Sequence, residues 1–267
     1  MSKHRTPCRK PTKPVGLDTE AFEAGSFEFP FLGRHCSRQT KVCTLNCLRR
    51  CMAMNFLRMN MSSATKQFRD ALESEAPTYG VTLSRPAVEE LSQYYELLNA
   101  WNSRVHLVGP CSPQEFATRH VLESLLMLKY LPSNASVAEV GAGAGLPILP
   151  CLIVRPDIHA ILIEASQKKA VFLREALTRT ATSKQATVLA ERFEHVTTPP
   201  VGFVTCRALE RFEEMLPHLF DWAPAKATLL LFGGTRLERR IENLGFATMA
   251  ELMPNSKARF LFLVNKE

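Results

Sequence analysis

The 267-residue chain has no apolar run long enough to cross a bilayer. A helical span needs about 20 predominantly apolar residues. The longest uncharged stretch, Val140 to Val154, is broken by three glycines and two prolines. The N-terminus lacks the compact apolar core of a secretory signal. Tight cysteine pairs of the zinc-ribbon kind are missing too. Cys43, Cys47 and Cys51 would rise along one helix face, where three thiols cannot all reach one small ion. No internal repeat is present, and no Ser/His/Asp or paired-carboxylate arrangement stands out. With 46% hydrophobic and 22% charged residues, the chain is neither disordered throughout, nor collagen-like, nor a coiled-coil rod. Its length suits one large domain or two small ones.

One excess stands against these absences, 33 Lys+Arg over 26 Asp+Glu, a net +7. Such a surplus suggests nucleic acid or an anionic membrane as partner. Its location changes that reading. Residues 1–61 hold 11 Lys+Arg and 4 Asp+Glu, and residues 62–267 hold 22 of each sign. The first segment also holds Cys8, Cys36, Cys43, Cys47 and Cys51, five of the eight cysteines. Pro11, Pro14, Gly16, Gly25, Pro30 and Gly33 punctuate it. It reads as a disordered or non-native extension with at most one helix, over 41–53. Met52, Met54, Met59 and Met61 sit where the composition changes and are candidate native starts. Cys111, Cys151 and Cys206 lie in apolar or strand-like surroundings, the pattern of reduced thiols in a cytoplasmic protein.

From Ser62 the pattern is regular. Residues 64–76 and 86–102 read as helices; in the second, Val88, Leu91, Tyr95 and Leu98 share a face behind Ser84 and Pro86. Ser112-Pro113-Gln114-Glu115 is a capping box that opens a helix to about Tyr130. Short apolar runs then alternate with helical stretches: Ser136–Val140, Ala160–Ile163, Ala186–Leu189, Gly202–Cys206, Thr228–Phe232, Ala247–Leu252 and Arg259–Val264. This alternation predicts an α/β fold, a mostly parallel sheet with helices on both faces. The last two strands, separated by Met253–Ala258, form an antiparallel hairpin. The expected organisation is a 1–61 extension, an N-terminal helical region 62–132 and a core 133–267.

The informative stretch is Ala138-Glu139-Val140-Gly141-Ala142-Gly143-Ala144-Gly145-Leu146-Pro147. A strand ends in an acid and a glycine-rich turn, and a helix follows. Glycines let the backbone approach a ligand and expose N–H groups. The spacing is G-x-G-x-G, and Leu146 stands where a dinucleotide fingerprint wants its third glycine. The next strand ends at Glu164, where an acid can accept from a ribose diol. NAD enzymes use an acid there as well, so Glu164 indicates a nucleoside without saying which.

Taken in order, the motifs resemble the small-subunit ribosomal RNA guanine-N7 methyltransferase family, RsmG or GidB. The matching pieces are Tyr95-Glu96-Leu97-Leu98 with Trp101-Asn102; Arg119-His120 with Glu123-Ser124-Leu125; and Gly141 to Pro147 with Ile148 and Pro150. They continue with Glu164, Lys168-Lys169 and Phe172-Leu173; Arg192-Phe193-Glu194; Thr205-Cys206-Arg207-Ala208; and Pro254 with Arg259. The resemblance spans about residues 64–267. It implies a Rossmann-like, seven-stranded S-adenosyl-L-methionine methyltransferase with small-subunit (16S) rRNA, or its ribonucleoprotein particle, as partner. From the cysteine spacing and the lack of an apolar span, no metal and no membrane partner are expected.

The cofactor positions it implies are Gly141, Gly143, Gly145 and Leu146 in the turn, Glu164 on the ribose, and Phe193 and Glu194 by the adenine. Arg207 is implied as the residue facing both cofactor and reaction. Lys168 and Lys169, in a first helical turn where the macrodipole disfavours cations, answer either RNA phosphate or Glu164. Arg119 and His120 form either a structural pair or a wall of the substrate cleft. Trp101 reads as core. The chain departs from the family at His106, Val108, Gly202, Cys206, Phe232 and Ala225-Lys226-Ala227, mostly in the substrate half. Two other readings stay open, a methyltransferase of this fold with another substrate and a non-enzymatic RNA- or ribosome-binding relative.

Overall fold

The computed structural model describes residues 62–207 and 212–266. The basic extension, its expected helix over 41–53 and its cysteine spacing lie outside the described residues.

Helix α1 spans Ser63–Glu75. The Ser62 hydroxyl accepts from Thr65 N at 3.1 Å and so caps it. Phe68, Ala71 and Leu72 give it a buried face. Helix α2 spans Arg85–Val105, with Ser84 as its cap and the expected Val88, Leu91, Tyr95 and Leu98 buried. It runs three residues past the expected end. His106 stops it in the left-handed region, φ 52°. Asn102 then fastens the chain beyond, accepting from Leu107 N at 2.7 Å and Val108 N at 3.0 Å and donating to Val108 O at 3.0 Å.

The helix expected after Ser112 is not uniform. We label the helical stretch 113–130 α3. Pro113–Glu115 is α-helical and capped by Ser112. Phe116–Leu122 is π-helical, Glu123–Leu125 returns to α, and Leu126–Tyr130 tightens to 3-10. The capping box is only half used, since the Glu115 carboxylate turns to Arg119.

Seven strands follow: β1 Ser136–Val140, β2 His159–Ile163, β3 Ala186–Leu189, β4 Phe203–Arg207, β5 Thr228–Gly233, β6 Met249–Leu252 and β7 Phe260–Asn265. Their spatial order is β3-β2-β1-β4-β5-β7-β6. The first five are parallel, and β7 runs antiparallel to both β5 and β6. Between them lie α4 Ile148–Val154, α5 Gln167–Arg179, α6 Phe212–Trp222 and α7 Thr235–Asn243. This is the seven-stranded α/β architecture that the alternating pattern predicts, with its terminal hairpin.

Strand alternation divides the core into two faces. Val137, Leu162, Leu230, Leu261 and Leu263 meet helices α1 to α5. Ala138, Val140, Val204, Leu229, Leu231, Phe262 and Val264 meet α6 and α7. A fully buried Leu, Ile, Val or Phe side chain contributes about 1.5–3 kcal/mol, so this two-sided burial holds the sheet. The N-terminal helices share the first core without a break, from Phe68 to Leu263.

Register brings the functional ends together. The C-terminal ends of the five parallel strands share one edge of the sheet. Gly233 pairs with Phe260, so the 253–259 turn joins that edge. A Cβ at Gly234 would stand 3.1 Å from Ala258 O, so that turn lies hard against the end of β5.

Candidate active site

β1 ends in a turn in which Gly141, Gly143 and Gly145 all have positive φ, 70°, 52° and 82°. Side chains other than glycine pay about 1–2 kcal/mol there. Three contacts hold the turn against β2 and α2. Gly141 N and Ala142 N donate to Ile163 O at 2.9 and 3.1 Å, and the buried Tyr94 hydroxyl donates to Ala144 O at 2.8 Å. The glycines differ in surroundings. A Cβ on Gly143 would meet only Gly141 O, at 3.7 Å, whereas one on Gly145 would lie 3.0 Å from Leu149 Cβ. Gly143 therefore keeps open a cradle beside the cavity, and Gly145 admits close helix packing.

Glu164 follows β2 and is 8% exposed. Its Oε2 accepts from Gly143 N and its Oε1 from Ser166 N, both at 2.8 Å. Each carboxylate oxygen can accept more than one bond, so acceptor capacity remains for a ligand. Ser166 caps α5, which puts Lys168 and Lys169 in its first turn as expected. Lys169 lines the cavity; Lys168 is exposed outside it.

After β3, Phe193 is buried edge-on against Trp222, centroids 5.8 Å apart. Glu194 accepts from Arg192 at 2.9 Å. Burial pushes the Glu194 carboxyl up, but the Arg192 hydrogen bond and backbone N–H hold it below its ordinary value.

Arg207 closes β4 opposite Phe232 of β5. Its guanidinium carbon lies 5.4 Å from the Phe232 ring centroid, a cation–π distance. Nη2 donates to Arg119 O at 2.6 Å and to Glu123 Oε2 at 3.3 Å, and Nη1 donates to Ser124 Oγ at 3.4 Å. Beside it, burial and then the Arg207 and Arg119 charges lower His120 to a pKa of about 4. The His120 imidazole is neutral at pH 7.

One cavity of about 710 Å³ unites Gly141, Gly143, Leu146, Glu164, Lys169, Phe193, Glu194, His120 and Arg207. Three sequence candidates lie outside its lining. Gly145 packs on Leu149 and Leu173. Arg119 is exposed and ion-paired to Glu115, giving Arg207 only its main-chain carbonyl. Lys168 faces solvent. Trp101 meets Phe172 edge-on and donates to Glu175 at 3.1 Å, as a packing residue does.

The family departures also find places. Phe232 lies beneath Arg207, and Val108 lines the cavity. Cys206 faces the other core. Gly202 precedes β4 at the end remote from Arg207, its N–H donating to Ser136 Oγ at 3.2 Å.

Two acids went unassigned in the sequence. Glu139 is fully buried, and neither carboxylate oxygen has a protein partner at hydrogen-bonding geometry. Burial drives its pKa well above the ordinary carboxylate range; the backbone near Ile148 opposes this and Glu164 adds to it. Its signal was its place at the end of β1, before the glycines. Glu123, 1% exposed, accepts from both Arg207 and Arg259; nothing in its local sequence marks those partners.

The donor set fits a nucleoside joined to an amino-acid tail. An acid with spare acceptor capacity, a buried aromatic and an open glycine turn line one cavity.

Comparison with known proteins points the same way. A family model described as GidB, rRNA small subunit methyltransferase G, matches residues 87–260. A ribosomal RNA small subunit methyltransferase G of Halorhodospira halophila is 30% identical over 184 residues, covering 69% of this chain and 87% of that protein. The protein of the same description from Roseiflexus sp. is 36% identical over 189 residues, covering 66% and 80%. That of Acidiphilium cryptum is 39% identical over 158 residues, covering 58% and 69%. The chain belongs to the GidB family, described as rRNA small subunit methyltransferase G.

Proposed function

We propose that the protein transfers a methyl group from S-adenosyl-L-methionine to N7 of a guanine in small-subunit (16S) ribosomal RNA. The observation that carries this reading is the single cavity shared by the glycine turn, Glu164 and Arg207. The cofactor supplies a methyl group activated on a sulfonium.

The chain's own residues bind and orient. Glu164 accepts from the ribose hydroxyls while the bonds its carboxylate accepts from Gly143 N and Ser166 N hold it in place. Phe193 and Glu194 flank the adenine. Gly141, Gly143 and Leu146 border the methionyl side. Guanine N7 has a free lone pair at neutral pH, so no base has to remove a proton. Catalysis then rests on proximity and alignment. Arg207 suits O6, the acceptor next to N7 on the same base edge. His120, neutral at the same wall, adds a polar group without adding repulsion.

In A-form RNA the edge carrying N7 lies in a groove too deep and narrow to read. The target base therefore comes from a loop or leaves its stack. Lys169 at the cavity and Lys168 outside it are available to phosphate. The buried thiol of Cys151 supports a reducing, cytoplasmic setting.

Two measurements test this. Titration calorimetry should show binding of S-adenosyl-L-methionine and none of NAD. Mass spectrometry of small-subunit rRNA from a strain lacking the gene should show one 7-methylguanosine fewer, restored by the intact gene. Cofactor binding with an unchanged 7-methylguanosine content would move the activity to another substrate. No binding of the cofactor would leave an RNA-binding relative.

A further inference from the structure

We propose that Glu123 is a positioning residue, which fixes the Arg207 guanidinium at the cavity wall and ties it to Arg259 in the turn before β7. This rests on the methyl-transfer reading above. Glu123 is 1% exposed and sits where the π-helical segment of α3 returns to α. Its Oε2 accepts from Arg207 Nη2 at 3.3 Å. Its Oε1 takes Arg259 Nε at 2.9 Å and Nη2 at 2.8 Å. One buried carboxylate thus faces two guanidiniums from distant parts of the chain.

The same short stretch of α3 supplies Arg207's other polar partners. Arg119 O accepts from it at 2.6 Å, and Ser124 Oγ lies 3.4 Å away. Wide π turns recur at functional sites, and here one presents a main-chain carbonyl and a carboxylate to the same guanidinium. Phe232 supports its flat face. Held by these groups, the fork keeps one plane, and a planar fork with a fixed plane is what sets the orientation of a base edge. Two guanidiniums on one carboxylate also leave this trio of side chains with one positive charge in excess. Without Glu123 the guanidinium would keep its charge, since arginine does not deprotonate, but would lose its carboxylate partner and the link to Arg259.

The experiment is a double-mutant cycle on the full chain, followed with labelled cofactor and small-subunit rRNA. Glu123→Gln and Glu123→Asp are each made alone and with Arg207→Lys. Glu123→Gln alone should lower kcat about 10-fold or more, while cofactor Kd stays within about 3-fold of wild type. With Arg207→Lys already present, the same change should cost less than about 3-fold, because interacting residues are non-additive. Equal losses in both backgrounds would make Glu123 a general stabiliser and overturn the proposal. Full turnover by Glu123→Asp, which withdraws the carboxylate by one methylene, would overturn it too. If the Gln variant does not fold, the Asp variant keeps the charge and carries the cycle. A wild-type protein that does not methylate rRNA would overturn the methyl-transfer reading instead, a result separable from either outcome of the cycle.

Discussion

At the residue scale, Glu164 holds two backbone N–H groups with its carboxylate, and the proposed function gives it the cofactor ribose as well. Glu164→Ala should weaken cofactor binding by about 10- to 100-fold, since a hydrogen bond to a charged group contributes about 1.5–3 kcal/mol. Calorimetry checks this, and an unchanged Kd would remove Glu164 from the ribose. His120 gives a prediction in pH. Its folded-state pKa of about 4 lies below the ordinary 6.5. Between those values the unfolded chain takes up a proton that the folded one refuses. Stability therefore falls as pH drops from about 6.5 to 4, by up to about 3 kcal/mol from this group. Urea unfolding at pH 7, 5.5 and 4.5 should show a smaller acid loss in His120→Gln than in wild type; equal losses would refute the low pKa. Single residues were legible where chemistry is local. The acid at the end of β2 and the glycines after β1 name their own surroundings. Glu123 was not legible, because its partners lie 84 and 136 positions away. The burial of Glu139 likewise comes from α2 and α4 folding over β1.

Elements were read well where one period governs. The strands fall within two residues of expectation, because most are short, nearly continuous apolar runs bounded by polar or turn residues. The π-helical segment of α3 is not legible, because its buried pairs Phe116-Ala117 and Val121-Leu122 also satisfy the α-helical spacing, Ala117 to Val121 being a step of four. The glycine turn makes an element-scale prediction. Gly145→Ala should destabilise the protein by about 2–4 kcal/mol, combining a left-handed φ with a Cβ against Leu149. Gly143→Ala should cost only about 1–2 kcal/mol of stability, because its Cβ meets open space, but its methyl should narrow the cradle and weaken cofactor binding. Urea titration and calorimetry on both variants separate the roles. A larger stability loss at Gly143 than at Gly145 would reverse the assignment.

The whole molecule turns on where its charge lies. Residues 62–267 carry 22 charges of each sign, so the folded body has no bulk attraction for RNA. On the proposed function, recognition falls to local groups such as Lys169 and Arg207. The +7 belongs to residues 1–61, and its effect on RNA is separable by salt. Each cation that meets a phosphate steepens the dependence of log affinity on log salt by about 0.7 to 0.9. If the extension touches RNA, the full chain should lose affinity with salt more steeply than residues 62–267, by a slope difference of about 3 or more. Turnover at saturating rRNA should be nearly the same for both, because the cavity residues are retained. Filter binding between 50 and 300 mM salt provides the slopes. Coincident slopes would mean that the extension makes no phosphate contact and that the surplus charge seen in the composition has no part in substrate binding. Different slopes with equal turnover would assign general affinity to the extension and base selection to the neutral body.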